Sequence, residues 1–324
     1  MNTLLAKPAS AVQSEWPVHM ALILAVLLWS GNFIAGRWLR DAIDPLSLNT
    51  IRWAISLTLL MPFTARRLHA QRAALCREWR WLLFLAITGI AGFHVLVYQA
   101  LSETTAINAL LILALIPIIT MIGSHWLSGF CPSAAQKTGA AIGLLGIVIL
   151  VTRGDLGTLT QWRFNIGDLW MLCAVVLWVG YTLALKQRPK DLSADTTLAA
   201  SIVLALALMV PLLGLFPPTL ALDTGSMLAI GYIAVFASLI GFLLWSWGVD
   251  RAGTERAGQF VHLMPVFGSI LAVVILGETI TAIQIGGAIL ALSGLVLVVR
   301  APANHGAKPQ QARPHVKRLT PSML

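Results

Sequence analysis

Negative charge is scarce in this chain of 324 residues: Asp and Glu number 13 against 22 Lys and Arg, and charged residues of all kinds make up 11%. Every acid falls in a connecting segment or near the end of an apolar run. A buried carboxylate is the usual device for binding a cationic ligand against protons, or a sodium ion, inside a membrane, so both couplings lose support here. Cysteine is nearly missing as well. Cys76, Cys131 and Cys173 lie far apart, without CxxC spacing and without companion histidines, which argues against a disulfide framework and against a metal site. No cluster of Asp, His or Glu marks a centre for acid-base or metal-assisted chemistry, so an integral-membrane enzyme acting on lipid is set aside and no cofactor is expected. A net charge of +9 would raise the question of nucleic acid in a soluble protein, but no nucleic-acid-reading motif accompanies it.

What the chain has in abundance is apolar sequence, 58% of residues with a mean hydropathy of +0.82. A helix crosses the hydrocarbon with roughly 20 apolar residues. Runs bounded by charge, Gly or Pro predict ten spans, near 18–37, 46–64, 81–101, 105–127, 135–152, 167–186, 195–216, 226–248, 256–276 and 280–299. The expected fold class is an all-α integral membrane protein. With the N-terminus placed inside, seventeen Lys and Arg fall on the inner side and four on the outer, which predicts a bacterial inner-membrane protein with both termini cytoplasmic. The first apolar run carries no small-residue cleavage site and reads as a retained span. Segment 1–17 is a cytoplasmic lead-in. The tail 301–324 is basic, Pro-rich and free of acids, and is expected to be disordered, with contact to anionic lipid as its functional reading.

The chain also repeats itself. At an offset of 149, Leu28-Trp29-Ser30-Gly31 falls on Leu177-Trp178-Val179-Gly180 and Pro62 on Pro211. At 148, Pro117 meets Pro265, Gln136 meets Gln284, and Gly139 and Gly146 meet Gly287 and Gly294. Two units follow, 18–152 and 167–300, joined by a periplasmic connector at 153–166. Each holds five spans, an odd number, so the second must enter the membrane inverted. An inverted repeat supplies two conformations related by pseudo-symmetry, one open to each side, which is the geometric basis of alternating access. A channel would want a ring of like residues or a symmetric oligomer, and neither is evident.

Polar and aromatic side chains within spans are the candidate site, because such groups are costly unless they face protein or a wet cavity. Trp29 and Asn32 are three apart and share a face, a spacing repeated by Trp178 and Tyr181. His94 and Tyr98 share a face of the third span, Asn108 begins the fourth, and Gln259 and His262 lead toward Pro265 in the ninth. Aromatic faces with amide and imidazole donors suit a zwitterion with an apolar side chain, and packing of the same groups against one another is the bland alternative. Pro117 and Pro265 are the candidate hinges, since an in-span proline frees a backbone carbonyl and bends the helix. His94 and His262 are the candidates for any proton step. Arg52, the one in-span charge, is expected to snorkel and pair with Asp41 or Asp44, or else to attract a carboxylate. The stripe Gly139, Gly143, Gly146, matched by Gly287, Ala291, Gly294, allows close backbone approach, either within one chain or as a dimer seam, so monomer and homodimer both stand.

The residues Leu28-Trp29-Ser30-Gly31-Asn32-Phe33, Arg52-Trp53 and the stretch from Tyr98-Gln99-Ala100-Leu101 to Pro117 in the first half, with Ala257, Pro265, Gly277-Glu278 and the glycine-rich last span in the second, resemble the drug/metabolite transporter superfamily with its duplicated EamA-type domain. The resemblance covers residues 18–300. The chain departs from the pattern at Ser128-Gly129-Phe130, where Gly-Glu is usual, and at Ser201, where Arg52 aligns. The resemblance implies a ten-helix carrier exporting or exchanging small organic metabolites, similar to bacterial exporters of amino acids, notably aromatic ones. With no central carboxylate to couple an ion, the expected mode is uniport, with proton-coupled antiport of other metabolites or drugs as the alternative. Small-molecule substrate and membrane lipid are the expected partners.

Overall fold

The computed structural model describes residues 15–104, 106–155, 157–160, 165–216, 220–276 and 279–301. Ten long helical stretches make up almost all of it, and no extended strand occurs among the described residues. They are α1 (Trp16–Leu39), α2 (Pro45–Ala70), α3 (Trp79–Glu103), α4 (106–128), α5 (Ala134–Thr152), α6 (Ile166–Leu185), α7 (Ala194–Leu215), α8 (Thr224–Ala252), α9 (254–276) and α10 (Ala282–Arg300). Eight of these are long and apolar enough to cross a membrane. The two outside that set are α2, whose apolar run is diluted by Asn49 and Arg52, and α9, which a 3-10 turn at Phe260–His262 divides. The outer surface is apolar, with Trp126 83%, Phe63 78% and Val274 76% exposed, a surface that water does not tolerate over such an area and lipid does. The protein is an all-α membrane protein. The tail beyond residue 301, the pair Gly277-Glu278 and part of the connector lie outside the described residues.

The helix starts are written in local chemistry. Asp44 accepts from Ser47 N at 2.9 Å with Pro45 in the first turn, and Asp223 caps α8 through Ser226 N at 2.7 Å. Ser133 with Gln136 and Thr281 with Gln284 form capping boxes at the starts of α5 and α10, 148 residues apart, so the repeat persists down to the caps. α2 runs on to Ala70, past the end expected at 64, because its last turns carry Arg66 and Arg67 out of the apolar layer.

Neighbouring helices alternate in direction. α1 starts where Glu15 meets Arg256 at 3.5 Å, the end of the bundle that also holds the Arg67–Asp195 and Arg77–Asp191 pairs. α6 starts at the other end, where Thr104 Oγ1 donates to Asp168 Oδ1 at 2.5 Å. Three departures from plain α-helix matter. α3 widens into a π-helical segment at Ala86–Gly92 and α8 does so at Ile233–Ile240, positions matched by the repeat. α4 breaks at Ala114–Leu115, just before Pro117.

The two glycine stripes pack on each other. A Cβ on Gly146 would stand 2.3 Å from the backbone nitrogen of Ala291, and one on Gly294 would stand 2.5 Å from the carbonyl of Gly139. The close approach therefore lies within one chain, between the last helices of the two halves.

Candidate functional site

Inside the bundle the repeat-matched Trp29 of α1 and Trp178 of α6 meet edge to face, ring centroids 5.0 Å apart at 88°. Phe93 of α3 stands 4.8 Å from Trp178, and Phe242 and Trp245 of α8 stand 5.7 and 5.1 Å from Trp29. Edge-to-face and tilted pairs of this kind add about 0.5–1.5 kcal/mol each beyond their burial, so the cluster is rigid as well as apolar. Trp29 Nε1 is fixed by the carbonyl of Ala237 at 2.9 Å, an acceptor in the π segment of α8, where the widened turn frees carbonyls from the ordinary ladder.

A cavity lies among Trp29, Asn32, His94, Trp178, Ile116 and Met264, the last two from α4 and α9. Its volume of about 10 Å³ is room for roughly one water molecule. The walls thus come from both halves and are closed on each other; no metabolite fits until helices move apart.

Polar groups flank this aromatic centre on two sides. On one, Tyr98 Oη donates to Asn32 Oδ1 at 2.9 Å and accepts from Arg52 Nη1 at 3.1 Å, while Arg52 Nε donates to Ser238 Oγ at 2.6 Å. Ser238 sits in the π segment of α8 and donates in turn to Ile233 O at 2.8 Å. Asn49, one turn before Arg52, ties α2 to the other π segment through Ile90 O and Ala91 O at 2.9 and 3.1 Å. On the second side, Tyr181 reaches Ser246 of α8. The repeat carries residue 32 onto 181 and 98 onto 246, so Asn32–Tyr98 and Tyr181–Ser246 are equivalent pairs with the tyrosine on opposite partners. Tyr181 is seated against Gly89, where a Cβ would fall 2.2 Å from its ring.

The structure therefore brings Trp29, Asn32, His94 and Trp178 to one cavity and places Tyr98 and Tyr181 just behind it. Gln259 is fully buried with neither end of its amide hydrogen-bonded, and it does not line the cavity. His262 stands away from the cavity too. Its Nε2 meets the carbonyl of Ala114 at 3.1 Å, the group left over by the break in α4, and its ring lies against Gly143, so it joins α9 to α4 and α5. The side chain of Asn108 lies outside the described residues. Pro117 begins the second segment of α4 directly after its break, and Pro265 follows the 3-10 turn of α9.

Arg52 corrects the expectation of a snorkelling side chain. It is wholly buried, and its partners are Ser238 and Tyr98; Asp41 pairs with Arg40 at 3.1 Å and Asp44 caps α2. The hydroxyls of Ser238 and Tyr98 hold it inside the bundle. Sequence reasoning missed Phe93, Phe242 and Trp245, which are apolar residues in apolar runs, and both π segments. The two π segments fall at repeat-related positions, 86–92 onto 234–240 at the offset of 148, but only Ala86 and Ala234 are identical there, so the repeat carries no signal of the widening.

Comparison with known proteins agrees with this architecture. The pattern of the EamA-like transporter family matches residues 16–152 and, a second time, residues 165–300. The chain is 30% identical over 292 residues to the uncharacterized transporter YdeK of Bacillus subtilis, covering 88% of this chain and 96% of that one. It is 25% identical over 284 residues to a probable terminal-alkyne amino-acid exporter of Streptantibioticus cattleyicolor, covering 86% and 92%. A probable amino-acid metabolite efflux pump of Salmonella typhimurium is 25% identical over 174 residues, 51% of this chain and 57% of that one. A crystal structure 22% identical in sequence has the same fold, with a TM-score of 0.73 over 86% of this chain and 95% of the other.

Proposed function

The chain belongs to the EamA-like transporter family, and on that premise we propose that it is an alternating-access carrier that exports or exchanges amino acids with aromatic or apolar side chains, as an uncoupled uniporter. It works in the bacterial inner membrane with both termini in the cytoplasm. Residues 18–152 and 167–300 act as two inverted five-helix repeats, and the connector 153–166 lies on the periplasmic side.

The observation that carries this reading is the closed aromatic cavity between α1 and α6, walled by repeat-matched Trp29 and Trp178. Stacked rings receive an apolar side chain, and Asn32 and His94 offer hydrogen bonds to its polar end. A site shared by two halves of opposite direction is exposed to one side or the other as the halves rock, which is how such repeats move a solute. The names of the two amino-acid relatives favour this cargo. Among the described residues no carboxylate faces the cavity, which favours transport without a coupled cation.

Purified protein in liposomes, loaded with labelled amino acids, nucleosides or sugars, tests the reading with and without a pH gradient. Flux of aromatic or apolar amino acids, unaltered by the gradient and unaccompanied by proton movement, is expected. Flux of no solute would refute the carrier, and proton movement in step with solute would replace uniport by antiport. Trp178→Ala should change the order of preferred substrates while the protein still inserts.

A further inference from the structure

Arg52 is a full positive charge with no exposed surface in the core of the bundle. No carboxylate of the described residues lies within ion-pairing distance of it, and its Nη2 has no hydrogen-bond partner. Its Nε and Nη1 are bonded to the hydroxyls of Ser238 and Tyr98, which satisfy donors without neutralising the charge, and the ring of Trp53 lies 5.2 Å from the guanidinium carbon. An ion held so deep without a counter-ion is unfavourable for folding, and in membrane proteins such a group marks a ligand site. The matching position of the second half is Ser201, also buried, so the repeat does not carry the charge twice. One route leads from the charge to the cavity: Tyr98 accepts from Arg52 and donates to Asn32, and Asn32 lines the wall.

We propose that Arg52 is the anchor for a carboxylate on the cargo, so that the carrier selects amino acids and their deaminated acids over the corresponding amines. The inference rests on the carrier reading above and adds which end of the cargo is recognised. When helices part to admit a solute, its carboxylate enters beside Tyr98 and takes the open Nη2 donor, a planar group suited to bidentate pairing. The aromatic side chain then lies between Trp29 and Trp178. An ammonium group finds no acid in the cavity wall and is left to Asn32 Oδ1 and the ring faces.

Binding is read by thermal melting and by tryptophan fluorescence of the full chain in detergent, with L-phenylalanine, 3-phenylpropanoate and 2-phenylethylamine as probes. The two carboxylates are expected to raise the melting temperature and quench fluorescence, and the amine to do neither. Arg52→Lys should weaken both carboxylates by about tenfold or more, and Arg52→Gln should abolish their effect, as loss of a charged hydrogen bond predicts. The comparison of acid with amine in the unaltered chain needs no variant to fold. An amine that binds as well as its acid would overturn the proposal, as would a folded Arg52→Gln chain with unchanged affinity, or no response to either carboxylate. Carboxylate binding without flux in liposomes would count against the carrier and leave the pairing with Arg52 standing.

Discussion

The seam between α5 and α10 makes a sharp quantitative demand. A methyl group added at Gly146 would sit 2.3 Å from Ala291 N, 2.7 Å from Gly287 O and 2.9 Å from Ala291 Cα. All three are backbone atoms of the facing helix, so no rotamer can yield; restoring ordinary contact at about 3.4 Å requires the helices to separate by about 1 Å along much of their shared length. Overpacking of this kind costs about 1–3 kcal/mol, less the roughly 1 kcal/mol that Ala gains over Gly in helix propensity. Gly286, one residue before the seam on the exposed face of α10, supplies the control, because nothing lies within 4 Å of its added Cβ. Gly146→Ala should therefore lower the melting temperature in detergent, and Gly286→Ala should raise it slightly. Size-exclusion chromatography after heating measures both. Equal and neutral shifts would refute the close intrachain approach, and an unchanged melt with an altered oligomeric state would move the glycine seam to a contact between two copies.

Two more perturbations test contacts elsewhere in the bundle. Gly89→Ala drives a methyl into the Tyr181 ring, 2.2 Å from Cδ2, and because the ring can swing the expected result is transport reduced severalfold with a melting temperature lowered by the cost of about 1–2 kcal/mol; full flux at wild-type affinity would remove Tyr181 from the site. At the basic end, Asp191 bonds Arg77 at 2.7 Å, and that hydrogen bond holds its carboxyl below the ordinary value of 3.8, so the stability it adds is complete above that pH and is lost as pH falls through the lowered folded value. Asp191→Asn should melt a little below wild type at pH 7, and the two curves should converge under acid; divergence under acid would refute the pairing.

Much of the fold was legible because the bilayer imposes a coarse rule, an apolar run of fixed length, and because the repeat tests that rule twice. The helix starts at Ser133 and Thr281 agree to the residue at one offset. The π segments were not legible, since one inserted residue in an unbroken apolar run changes neither composition nor length by a detectable amount. Spacing sets Gln259 and His262 three apart, leading toward Pro265, but periodicity cannot say what they meet; His262 turns to Ala114 and Gly143. From the sequence, Arg52 is expected to pair with the acids of the α1–α2 turn, its neighbours in the chain, or to attract a carboxylate. Its partners are Tyr98 and Ser238, the latter 186 residues away in a widened turn of α8.

The matched polar pairs explain how a duplicated frame can hold an unsymmetrical solute. Asn32–Tyr98 and Tyr181–Ser246 occupy equivalent places in the two halves, and each sets one tyrosine hydroxyl behind the central indoles. Behind the first stands Arg52; the residue that the repeat matches to it in the second half is Ser201, a buried hydroxyl with no partner. The backbone frame therefore repeats while the electrostatics do not; on the carrier reading proposed above, the field across the cavity would point one way in both conformations that a rocking of the halves would generate. A solute with a negative end and an apolar body would keep one orientation between Trp29 and Trp178 throughout such a motion. A symmetric pair of arginines would instead trap the anion between two charges, and transport needs binding weak enough to release.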